Sequence, residues 1–233
     1  MSDYMEVVAI VEGRTEQIFI ERILKPYLAA KNIFMTATQI SKPGQKGGDV
    51  KFSRAERDIG RFLKQRADIY VTQFFDYYGL KEWPNLETIT NQNHIEIAAL
   101  LNDGAVEQIK QNHTNIDIDK RFIPYMAMHE FETLLFSDEA ILANALNVNL
   151  ADVNAIIEEC GEPEKINNSR ETAPSKRLNN LKSSGKFKKT TEGITIAEQI
   201  GIDKMRARCP LFNEWLNKIE ATMEEVAGDE NEA

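Results

Sequence analysis

The stretch Val7–Val11 (VVAIV), broken by Glu12-Gly13 and followed by helical periodicity in Ile18, Phe19, Ile23 and Leu24, constrains this chain more than any other. A short Val/Ile run bounded by a glycine reads as a strand buried on both faces, the habit of parallel sheets. Gly13 permits a tight turn, and Thr15 is placed to cap the helix that follows. The product is a strand–turn–helix unit with one carboxylate, Glu12, at the strand's carboxyl end. In open α/β sheets ligands bind at that edge. Glu12 is therefore the leading candidate for chemistry.

The pattern recurs. Ile33–Ile40 reads as a second strand and Asp68–Phe75 as a third, ending in Asp76-Tyr77-Tyr78-Gly79. Phe122–Met128 reads as a fourth, moved towards a sheet edge by Pro124. Helices are expected over 14–31, with Pro26 kinking or dividing it, and over 53–66, with Ile59, Phe62 and Leu63 inward. Further helices are expected over 92–112, with Gly104 as a candidate break, and over 130–146. This alternation predicts an α/β domain over residues 1–146, a mostly parallel four-stranded sheet with helices on both faces. Residues 147–227 read as a helical, Lys-rich C-terminal appendage packed on that domain. Its short helices fall at 150–160, 176–182 and near 195–200, its last at 209–226. An acidic, disordered tail is expected at 228–233.

Composition narrows the function classes. A net charge of −9 over 233 residues argues against sequence-blind adhesion to nucleic acid, so a nucleic-acid reading must rest on local patches. No apolar run approaches the roughly 20 residues that span a bilayer, and no basic region precedes the first apolar run as in a signal peptide. Cys160 and Cys209 lack metal-type spacing. Free thiols in a cytoplasmic protein without membrane contact are the expectation.

Three of the four strands end in carboxylate-bearing turns: Glu12, Asp76, and Glu130 with Glu132. Parallel strands bring their carboxyl ends to one edge, and converging hard oxygen ligands call for Mg²⁺ or Mn²⁺. Such ions polarise phosphate oxygens and activate water. The expected metal set is Glu12, Asp76, Glu130, Glu132 and His129, with Glu132 preferred over Glu130 because it sits at i, i+3 from His129 on an expected helix. Asp117 and Asp119 precede their strand and belong at the opposite edge. Glu16 is expected to face solvent or pair with a base. Lys42, Lys46 and Lys51, in a mobile Gly/Pro/Lys loop at the same edge, are placed to offset developing charge on phosphate, with Lys42 and Lys46 the catalytic candidates. Lys176, Arg177, Lys182, Lys186, Lys188 and Lys189, with Phe187 among them and no acid between Pro174 and Thr191, form a candidate nucleic-acid-binding patch. Each also has an ordinary use: Glu12 as a helix cap, Asp76 as a turn former, His129 as a core histidine, the lysines as solvated surface.

These residues also carry a resemblance. Val-Glu-Gly-x-Thr-Glu after the first strand, with an Asp motif after the third, resembles the Toprim fold of topoisomerases, primases and the overcoming-lysogenization-defect nucleases. Over nearly the whole chain the likeness is to a bacterial Toprim-like family of unknown function, through VEGxTEQ (Val11–Gln17), DYYGL (Asp76–Leu80), HEFExLLF (His129–Phe136) and PSKRL (Pro174–Leu178). The resemblance implies that Glu12 is a metal ligand and acid/base, and that Asp76 is the first acid of an Asp-x-Asp whose second acid is here Tyr78. It further implies a Mg²⁺- or Mn²⁺-dependent nuclease, acting on DNA ahead of RNA, with a partner ATPase of the ABC or AAA class in a bacterial defence-type module. Oligomerisation stays open. The alternative is a catalytically degenerate Toprim-like module that binds or regulates that ATPase.

Overall fold

The chain lays down β1 (Met5–Val11), crosses to β2 (Ile33–Gln39), and forms a small antiparallel ribbon of β3 (Ser41–Lys42) and β4 (Gln45–Lys46). It then returns to the far side of β1 as β5 (Ile69–Asp76) and ends the sheet with β6 (Phe122–Ala127). The order β2-β1-β5-β6 is parallel throughout. Strand order reverses between β1 and β5, so their carboxyl ends flank the crevice where open α/β sheets place ligands. In register, Val11 lies opposite Phe74, and Asp76 opposite Ala127. The computed structural model describes residues 4–42, 45–46, 50–166, 172–183 and 185–229.

The first crossover helix is α1 (Arg14–Phe19), a π-helical turn Ile20–Leu24, and α2 (Lys25–Ala29). Pro26 does not end it: a π-helical turn divides the α-helical parts just ahead of the proline. Proline lacks an N–H and crowds the carbonyl four residues back, and the wider turn ahead of it absorbs both defects. α3 (Phe52–Gln65) and α4 (His94–Asn112) cover one sheet face with Ile59, Leu63, Leu101 and Ile109 against Ile10, Val71 and Phe75. Gly104 does not break α4. A Cβ there would lie 2.7 Å from Asn85 and 3.0 Å from Pro84, so the glycine admits the 83–86 loop onto the helix. After α5 (Ile118–Arg121), β6 is the edge strand that Pro124 foretells.

The helix expected over 130–146 is instead a 3-10 stretch, Phe131–Ser137, followed by α6 (Glu139–Leu146). Asp138 divides them by accepting a hydrogen bond from Ile141 N at 2.8 Å, an N-cap read at sequence level as helix interior. Beyond lie α7 (Leu150–Cys160), α8 (Pro174–Leu181), α9 (Ile194–Ile200), α10 (Ile202–Arg208) and α11 (Pro210–Asp229). The C-terminal region supplies core. Phe212, Trp215, Leu216 and Ile219 are buried with Phe19, Phe74 and Tyr125 on the second sheet face. Trp215 stacks on Tyr125 at 4.6 Å and donates its indole N–H to Thr72 Oγ1 at 2.8 Å. α11 runs to Asp229, past the expected start of the tail; residues 230–233 lie outside those described. Both cysteines are free thiols.

Glu164 is buried and accepts hydrogen bonds from Leu211 N (2.8 Å) and Phe212 N (3.1 Å), two otherwise orphaned donors in the first turn of α11. Burial pushes its pKa up to about 7, against the pull of those two bonds. Two outcomes follow. Trp215→Ala should cost about 3–5 kcal/mol in urea denaturation, because it empties the centre of one core layer. A raised carboxyl contributes stability that is present below its unfolded value and lost as pH climbs through the folded one. Wild-type stability relative to Glu164→Gln should therefore fall by about 1–3 kcal/mol between pH 5 and pH 8.

Candidate active site at the carboxyl edge of the sheet

Beyond the buried end of β1, Glu12 and Gly13 lead into α1. Gly13 is extended (φ −146°) and is itself the N-cap, whereas Thr15, expected in that role, is buried inside the first turn. Gly13 N donates to Glu16 Oε2 at 3.1 Å, and a Cβ on Gly13 would stand 3.2 Å from that oxygen. Close approach explains the glycine, not backbone freedom. This return bond, the half of a capping box open to a glycine N-cap, turns Glu16 back over the sheet edge, half-buried beside Glu12 and in the field of Lys189, and not out to solvent. The signal was there as Gly-x-x-Glu.

Asp76 is the last residue of β5, and its backbone N–H, on the strand next to β1, helps hold the Glu12 carboxyl down against burial. A 3-10 turn, Tyr77–Gly79, follows, and Tyr78 is half exposed. From the end of β6 come Glu130 and Glu132. Glu130 Oε2 accepts from Ser175 N at 3.1 Å, and its Oε1 from Lys189 Nζ at 3.2 Å. Glu132 is 0% exposed. Lys189 Nζ forms an ion pair with Glu132 Oε1 at 2.9 Å, and Glu132 Oε2 has no hydrogen-bond partner among the described residues. Lys189 arrives on a π-helical turn (Lys189–Gly193) held by the buried ring of Phe187 and by Lys188 N donating to Glu192 at 2.7 Å.

Five carboxylates thus face one ammonium. Burial raises the pKa values of Glu12, Glu16 and Glu132, and Lys189 opposes the rise at each. Asp76 is pushed well above the usual carboxylate range, by burial first and then by Glu16, Glu12, Glu130 and Glu132. Glu130 goes the other way, because Ser175 and Lys189 outweigh its burial. Burial lowers the Lys189 pKa, and Glu132 and Glu130 more than reverse that. Like charges so confined cannot all ionise without a cation. Among the described residues, however, no three His, Cys, Asp or Glu side chains are already drawn together as a metal-ligand set.

The remaining expected residues scatter. His129 sits in a bend before the 3-10 stretch and shares no helical face with Glu132. Burial and neighbouring His94 lower its pKa to about 4, and it lines a small cavity with Glu130, Thr133 and Glu164. Lys42 and Lys46 lie by their backbones in the β3–β4 ribbon; their side chains are outside those described. Lys51 pairs with Glu82 at 2.7 Å. In the C-terminal patch, Arg177 is tied to Glu159 (2.8 Å), Lys182 to Glu192 (2.6 Å) and Lys189 to the carboxylates, while Lys176, Lys186 and Lys188 are exposed. Asp117 caps α5 and Asp119 pairs with Lys110, both at the opposite sheet edge.

Fold and site together define a doubly wound α/β protein with an acidic centre at its switch point. The chain belongs to the family described as a domain of unknown function, DUF4276, matched over residues 11–220, a span that includes all five carboxylates and Lys189. No curated protein and no solved structure matches it. No helix among the described residues is long and apolar enough to cross a membrane. Removing the one ammonium should be felt: Lys189→Met should lower stability by about 1–3 kcal/mol in urea denaturation without divalent ions, because Glu130 and Glu132 lose their counter-charge.

Proposed function

We propose that this protein is a Mg²⁺- or Mn²⁺-dependent phosphodiesterase of Toprim type, acting on nucleic acid, DNA ahead of RNA, and working with a partner ATPase. The observation that carries this reading is Glu132, fully buried at the switch-point crevice with an Oε2 that has no partner, beside Glu12 and Asp76 on adjacent strands. An orphaned buried carboxylate oxygen within an excess of negative charge fits a divalent cation. Glu12, Asp76, Glu130 and Glu132 would hold it, with Glu16 in place of the acid that Tyr78 replaces. A bound divalent ion supplies polarisation of a phosphate oxygen and a more acidic water. Glu12, whose carboxyl burial raises above its ordinary range, is placed to accept the proton of the attacking water. Lys189, half exposed and fixed beside the acids, is placed to face the charge that grows on phosphate.

The second reading, a binding or regulatory module for the ATPase, is favoured by the absence of a gathered ligand set among the described residues. Calorimetry with Mn²⁺ and Mg²⁺ on wild type, Glu12→Ala and Asp76→Ala, with plasmid cleavage assayed on the same samples, separates the two. Binding lost in both variants together with metal-dependent cleavage is the expected result. A wild type that binds neither ion at millimolar concentration and cuts nothing sinks the enzyme reading and leaves the module.

A further inference from the structure

Helix α3 carries Arg54, Arg57, Arg61 and Lys64 at spacings of three, four and three residues. At 100° per residue these four occupy an arc of about 80°, and they extend over about 15 Å of helix. The opposite side of α3 buries Ala55, Ile59 and Leu63 against β1 and β5, so the stripe faces outward; Arg57, Arg61 and Lys64 are exposed. Acids on the helix offset the stripe only in part, Glu56 and Asp58 against four bases. Asp58 is 3% exposed, its two oxygens accept from Ser41 N and Ser41 Oγ, each at 2.7 Å, and it makes a long ion pair with Arg61 at 4.0 Å. Glu56 accepts from Asn112 at 2.6 Å. Arg57 donates to Ser41 Oγ, and neither it nor Lys64 has an acidic partner among the described residues. Several arginines elsewhere on this acidic chain are paired across the fold: Arg66 with Glu6 and Asp68, Arg206 with Glu220, Arg208 with Glu139.

Placement of charge along α3 also runs against its own helix. Lys51 is the N-cap, Arg54 stands in the first turn, and no acid is there. A helix N-terminus carries the positive end of the dipole, so cations at that end are disfavoured locally. That same end is held at the carboxyl edge: Phe52 N donates to Glu82 O at 3.1 Å, in the segment that follows the Asp76 turn.

We propose that the outer face of α3 is a track for a phosphodiester strand that leads into the carboxylate edge, with Arg57, Arg61 and Lys64 as its phosphate contacts. The inference rests on the phosphodiesterase reading and gives it a substrate path. From Arg57 to Lys64 the contacts span about 10 Å, the axial rise of about three phosphates of one strand of a duplex. The test is anisotropy of labelled DNA and RNA oligonucleotides, single- and double-stranded, titrated in EDTA across a range of salt. Variants are Arg57→Ala/Arg61→Ala/Lys64→Ala, a charge-keeping Arg57→Lys/Arg61→Lys/Lys64→Arg, and Lys176→Ala/Lys186→Ala/Lys188→Ala. The neutral α3 variant should bind at least about 10-fold more weakly, and its log–log salt slope should shrink by about two to three; the charge-keeping variant should retain both. The four oligonucleotide arms show which strand form uses the track. Equal affinity and slope for wild type and the neutral α3 variant, a loss confined to the C-terminal variant, or no binding by wild type, each overturns the track. Mn²⁺ calorimetry on the same wild-type sample then shows separately whether the carboxylate centre stands.

Discussion

All four strands of the sheet run one way, and that single constraint places everything that follows. A parallel ladder cannot be closed by hairpins, so each strand requires a crossover, and every crossover begins at the same edge. Because strand order reverses between β1 and β5, the chains leaving Val11 and Asp76 diverge to opposite faces and leave a gap between them. Into that gap fall Glu12, Glu16, Asp76, Glu130 and Glu132. Their meeting is a consequence of topology first and of local chemistry second.

The concentration of acid is costly to the fold. Four of the five carboxyls have raised pKa values, and Glu132 has lost all contact with water. A core built only for stability would not hold these groups. The surrounding scaffold tolerates them because it is dense elsewhere: Phe19, Phe74, Tyr125, Phe212 and Trp215 form a continuous aromatic layer below the edge. Trp215 ties that layer to Thr72 in the central strand, so the last helix of the chain braces the site made by the first strand.

What the sequence made legible were features with a short range and one cause. The apolar runs of β1 and β5 read as buried strands because both faces of a central parallel strand are apolar, and Glu12 and Asp76 followed as their ends. Pro124 placed β6 at an edge for lack of one N–H. Residues that depend on two causes were harder. Glu16 joins the site only because Gly13 lets its carboxylate fold back at close range. Lys189 joins because Phe187, far along a polar stretch, anchors a π turn. Asp138 ended one helical stretch and began another, and a periodicity count over 130–146 runs through both. The stripe on α3 is interrupted along the sequence by Glu56 and Asp58, and only the helix gathers its bases on one face.

Lys189 makes the acidic centre an ion exchanger in miniature. Its ammonium already stands on Glu130 and Glu132, tethered by a turn that the core holds in place. A second cation reaching these oxygens does not fill a void; it trades with one that cannot diffuse away. A tethered competitor has a fixed effective concentration, set by the chain and independent of the solution. Any affinity measured there is a difference between two cations, and the segment carrying Lys189 feels each exchange directly.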